Sequence, residues 1–175
     1  KSLAIREALK DRAGIASTLD DIGHLNSGQG DYPKALEFFQ KSLAMREALG
    51  NKAGIARTLR NIGVAHGKQG YYSKSLEFAE RAASLARETG GIETFWRSRL
   101  TAGAAYVALK QSALARQAFE EAVNAVETLR TYVAGGAQEQ QRFFESKISP
   151  YHAMVELLIA QNNPAESLTY AERAR

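Results

Sequence analysis

Apolar residues recur at three- and four-residue spacing along most of the chain. Ile15, Leu19, Ile22 and Leu25 mark one face of a helix predicted over 13–28. Gly28-Gln29-Gly30 interrupts it. Asp31-Tyr32-Pro33 then starts a second helix, with Asp31 as its cap and Pro33 in the first turn, where a backbone N–H is not needed. Leu36, Phe39 and Leu43 form the next apolar face, and Gly50-Asn51 closes it. The same pair of helices returns over roughly 52–68 and 72–89 and ends at Gly90-Gly91.

This recurrence is a written repeat. Lys1-Ser-Leu-Ala-Ile-Arg-Glu-Ala-Leu9 returns as Lys41-Ser-Leu-Ala-Met-Arg-Glu-Ala-Leu49, and residues 1–40 and 41–80 share 23 identities without a gap. A fixed period of 40 residues predicts an array whose units bury their apolar faces on one another. A third copy keeps the register: Gly103 follows Gly23 and Gly63, and Phe119 follows Phe39 by 80. Its second helix is predicted from about 112 to 133, with Gly135-Gly136 as the next break. Ser167–Ala174 matches Ser75–Ala82 and marks a fourth copy, opened by the capping-box layout Asn163-Pro164-Ala165-Glu166. The expected fold is all-α: one helical array with a half repeat at 1–10 and full repeats at 13–50, 52–90, 92–134 and 137–175. Lys1 and Arg175 both fall inside helical patterns, so the chain reads as a piece of a longer protein. Leu3, Ile5 and Leu9 at the uncapped end are expected to favour end-to-end self-association.

Composition narrows the function classes. The chain is 45% hydrophobic and 24% charged, with no apolar run long enough to span a membrane and no signal-peptide pattern. The absence of cysteine excludes disulfides, thiolate metal sites and a cysteine nucleophile within the 175 residues, and a cytoplasmic location is expected. The net charge is +4, but Lys and Arg alternate with Glu, as in Lys34…Glu37 and Lys74…Glu77. That is a mixed-charge surface, not a nucleic-acid stripe. Gly63–Lys68 superficially matches a phosphate loop, yet it has one residue too few, lacks the following hydroxyl and falls in a predicted helix. His24, His66 and His152 sit on separate helices without ligand spacing. No cofactor, metal or catalytic site is expected.

The pattern Leu19…Ile22-Gly23…Gly30-Asp31-Tyr32…Ala35…Phe39 resembles the tetratricopeptide repeat, a helix–turn–helix unit. Copy two departs from it where Phe39 becomes Ala79, and copy three where Lys110 replaces the turn glycine. The long period is similar to the subclass found in kinesin light chains and bacterial multidomain proteins. The ending Tyr170-Ala-Glu-Arg-Ala-Arg175, with Arg142-Phe-Phe…Tyr151…Leu157-Leu-Ile-Ala160, resembles the last repeat before a CHAT (caspase-like) domain. The resemblance implies a right-handed superhelix and a protein-interaction module, with the first helix of each repeat lining a concave groove. An attached CHAT protease would be controlled by partner binding. A kinesin-light-chain-like adaptor, a sensor array of a bacterial transcription regulator, and an enzyme site hidden in helices 112–161 are the alternatives.

The groove so implied contains Asp20, His24, Arg57, Arg60, Asn61, Arg97 and Leu100. Its middle is basic, and guanidinium forks suit carboxylates, so a protein or peptide partner of acidic character is expected, without nucleic acid or membrane. The competing assignment pairs Arg60 with Asp20, its counterpart one repeat earlier. Of Phe95 and Trp96, at least one is expected in the core. Tyr71, standing where copy one has Asp31, is a candidate exposed anchor.

Overall fold

The computed structural model describes residues 11–132 and 145–174. These form eight helices and no strand: α1 (Arg12–Gly28), α2 (Tyr32–Ala48), α3 (Lys52–Lys68), α4 (Tyr72–Glu88), α5 (Ile92–Ala108), α6 (Ser112–Thr131), α7 (Ser149–Ala160) and α8 (Pro164–Arg173). Consecutive helices pack in pairs, and the first helices of successive pairs also touch, α3 on α5 and α5 on α7. The half repeat at 1–10 and the break at Gly135-Gly136 lie outside the described residues, as do Leu3, Ile5, Leu9, Arg142-Phe143-Phe144 and Arg175.

Three-residue turns connect the pairs because one residue ends a helix and the next begins another. The Gly30 N–H donates to the Ser27 carbonyl at 3.1 Å, and the Asp31 N–H to the Asn26 carbonyl at 2.9 Å. That is the Schellman pattern, and Gly30 takes the left-handed φ of 82° it requires. The Asp31 carboxylate then accepts from the Lys34 N–H at 3.1 Å, capping α2 as its position predicts. Asn163 caps α8 in the same way. Lys110 holds the turn position in copy three at φ 60°, where a side chain is strained.

Within each pair a small residue on the first helix receives the second. Phe39 lies over Gly23 so closely that a Cβ there would be 2.5 Å from the ring, and Phe119 covers Gly103 in the same way. Copy two solves the contact differently. With Ala79 replacing the ring, the α4 backbone comes down on Gly63, where a Cβ would meet the Ser75 carbonyl oxygen at 3.1 Å. The largest apolar cluster joins Trp96, Phe119, Val123, Tyr151, Met154 and Leu158, so α5–α8 share one core. Trp96 is buried to 1% exposure and Phe95 half-buried, so the core expectation for this pair holds.

Candidate functional site

The first helices form one wall of the stack, and most of the predicted groove residues meet on it. Arg57 and Arg60 are three residues apart on α3, hence on neighbouring sides of one face. Arg97 occupies on α5 the place Arg57 has on α3, and α3 packs on α5. Arg57, Arg97 and His24 are exposed, while Arg60 and Leu100 are half-buried. Asp20 and Asn61 belong elsewhere. They are only 4% and 3% exposed, so they support the wall from behind and do not line it.

Asp20 is buried because Arg46 is. The Arg46 Nη2 donates to the Asp20 carboxylate at 2.8 Å, and the Thr58 hydroxyl donates to both Asp20 oxygens at 3.1 and 3.2 Å. Asp20 thus ties α1 to α2 and α3, and Arg57 comes no nearer to it than 4.0 Å. The expected alternative, Asp20 paired with Arg60, is therefore replaced by Asp20 paired with Arg46. A signal for this was present in the repeat itself. At the 40-residue offset Asp20 becomes Arg60 while Arg46 becomes Ala86, and in copy three the two positions are Leu100 and Val126. The three copies fill one internal position with an ion pair, a lone cation and an apolar pair.

Arg60 is the lone cation. Its Nη2 donates to the Asn61 Oδ1 at 2.5 Å, and its Nε is buried with no hydrogen-bond partner. Among the described residues no carboxylate pairs with it, whereas Arg97 lies 2.9 Å from Glu93. Burial, then the positive charges of Arg97 and Arg57, pull the Arg60 pKa below the usual arginine value. Asn61 in turn meets the His24 Nε2 at 3.1 Å. Burial and the charge of Arg60 lower the His24 pKa, which favours the neutral ring. Arg97 stacks on Trp96 at 4.5 Å, and Trp96 donates to Glu93 at 3.0 Å. Burial works to raise the Glu93 pKa, but hydrogen bonds from Trp96 and Arg97 outweigh it and hold the carboxyl below its ordinary range.

One helical turn beyond the arginines the same wall becomes apolar. Val64, Gly67, Tyr72, Leu100, Thr101 and Ala104 surround an open hollow of about 310 Å³ between α3 and α5. Tyr71, 56% exposed, stands outside this hollow at the turn before α4, with His66 edge-on at 6.2 Å. Sequence periodicity alone did not single out the hollow. It arises because α3 and α5 offer Gly67 and Ala104 where larger side chains would close it.

Among the described residues no group of His, Asp or Glu could hold a metal ion, and no helix is long and apolar enough to cross a membrane. Stacked helix pairs of this kind define an α-helical repeat protein, a protein–protein interaction module in general terms. The tetratricopeptide repeat family matches residues 1–48 and 15–88, and the chain belongs to that family. No curated protein matches it at a significant level. Its fold is similar to the crystal structure of BtubC (BKLC) from P. vanneervenii, with a TM-score of 0.73 at 14% identity over 93% of this chain. The chain spans 63% of that protein's length. A Podosopora anserina protein with nearly identical TPR-like repeats has a TM-score of 0.58 at 14% identity, covering 91% of this chain and 92% of that one. The Sgt2 TPR domain from Aspergillus fumigatus has a TM-score of 0.55 at 20% identity, covering 75% of this chain and 76% of that one. At these identities the likeness is one of fold.

Proposed function

We propose that the array captures an extended peptide or helix of acidic character along the wall formed by α3 and α5. The observation that carries this is Arg60: a half-buried guanidinium with, among the described residues, no carboxylate partner and an unpartnered buried Nε. A protein normally pairs such a group or leaves it in water, so the Nη donors that this half-buried side chain still carries suit an incoming anion. Arg57 and Arg97 flank it with exposed forks, and the hollow at Val64 and Leu100 offers apolar area beside the charge. In a longer parent, capture of this kind would control an attached CHAT protease domain, the role that the resemblance at Tyr170–Arg175 implies.

The test is Arg57→Glu combined with Arg60→Glu. Both side chains reach the wall surface and neither makes the Asp20–Arg46 pair, so helicity by circular dichroism should be unchanged. Retention of acidic peptide pools on the immobilised protein should be lost. Undiminished retention at equal helicity would reject the proposal.

A further inference from the structure

We propose that the anion this wall receives is a phosphorylated serine or threonine side chain of the partner peptide, with an apolar residue of the same peptide seated in the adjoining hollow. The inference rests on the peptide-capture reading above and specifies its ligand.

Two carboxylates near the site are already committed: Asp20 to Arg46 at 2.8 Å, and Glu93 to Arg97 at 2.9 Å with Lys147 at 3.8 Å. With Glu93 committed to Arg97, Arg57 and Arg60 are, among the described residues, the two guanidiniums of the group with no carboxylate nearer than 4.0 Å, two positive charges in excess of the committed pairs that suit a phosphate dianion near neutral pH. A single carboxylate would leave part of that excess unanswered.

Three guanidiniums arrive from two helices, Arg57 and Arg60 from α3 and Arg97 from α5. A phosphate offers three strong acceptor oxygens and can engage a fork from each side, whereas a carboxylate offers two in one plane. Arg97 is held by Glu93 below it and by the Trp96 ring at 4.5 Å. Arg60 is held by Asn61. Both are therefore positioned before any ligand arrives, which lowers the ordering cost of binding. The hollow lies about one helical turn, ~5 Å, along both helices. That distance places the apolar residue about two positions from the phosphorylated one in an extended peptide.

The test uses three oriented peptide pools, random except for one fixed phosphoserine, glutamate or serine, applied to the full chain at physiological salt. The phosphoserine pool should bind about tenfold tighter than the glutamate pool, the gain expected from one further charge-assisted hydrogen bond, and its bound fraction should be enriched in apolar residues two positions away. Arg60→Gln should remove the preference, while Arg81→Gln, an exposed cation on α4 paired with Glu77, should not. Equal binding of the phosphoserine and glutamate pools would overturn the phosphate inference and leave peptide capture standing. No binding by any pool would overturn both. An equal loss in Arg81→Gln, or Arg60-dependent binding of a single-stranded oligonucleotide in place of the peptides, would also overturn it.

Discussion

Replacing Asp20 by Ala should destabilise the array far more than its place on a first helix suggests. The substitution removes the acceptor of the Arg46 Nη2 bond at 2.8 Å and of both Thr58 bonds. It leaves the Arg46 guanidinium inside the stack at 2% exposure, with Ser42 at 3.1 Å and Ser17 at 3.5 Å as its remaining partners among the described residues. Breaking one side of a buried ion pair costs about 3–5 kcal/mol, because the remaining charge is uncompensated. Substituting both partners, Asp20→Leu with Arg46→Val, installs the pair that copy three uses at Leu100 and Val126. It should return stability to within about 1.5 kcal/mol of wild type. The double variant should also free Gly54, where a Cβ would strike the Arg46 guanidinium. Copy three already carries Thr94 there, opposite Ala86. Urea unfolding followed by circular dichroism measures the losses, and amide exchange in α1–α3 shows whether they are local to the first repeats. A loss below about 1 kcal/mol for Asp20→Ala would refute the buried-pair account.

Further outcomes follow from the same structure. Gly63→Ala should cost about 1–3 kcal/mol in urea unfolding, because the obstructing Ser75 and Ala79 atoms are backbone and cannot rotate away. Lys110→Gly should stabilise by about 1 kcal/mol by relieving the left-handed φ, read as a raised urea midpoint. The His24 and His66 pKa values are both lowered by burial. Their contribution to stability is therefore complete above the unfolded histidine pKa and lost as pH falls below it. The urea midpoint should drop between about pH 7 and pH 5, and His24→Gln with His66→Gln should flatten that dependence.

Much of this fold was legible in the sequence because helix periodicity and turn chemistry are local. Asp31 and Asn163 sit where capping predicts, and the 40-residue offset carries the helix bounds from copy to copy. The site was legible in part. Arg57, Arg97 and His24 are exposed on the first-helix wall. Asp20 and Asn61 are not, because burial there is decided by Arg46, 26 residues away, and by the packing of α3 on α1. A face assigned from one helix cannot register a partner arriving from another. The paired exchange of Asp20 for Arg60 and Arg46 for Ala86 was the one sequence trace of that contact. Likewise, the change from Phe39 to Ala79 is a departure from the repeat pattern in sequence, and the closer helix approach at Gly63 that accommodates it lies in the packing of α4 on α3.

The proposed partner site is the α3–α5 wall centred on Arg60. A titration of the isotope-labelled chain with the tightest peptide from the phosphoserine pool, followed by NMR of backbone amides and arginine Nε–H groups, tests it most directly. Shifts should concentrate at 57–64 and 97–104, with the Arg60 Nε–H signal moving most. Shifts concentrated on the second helices α2, α4 and α6, with Arg60 unmoved, would contradict it.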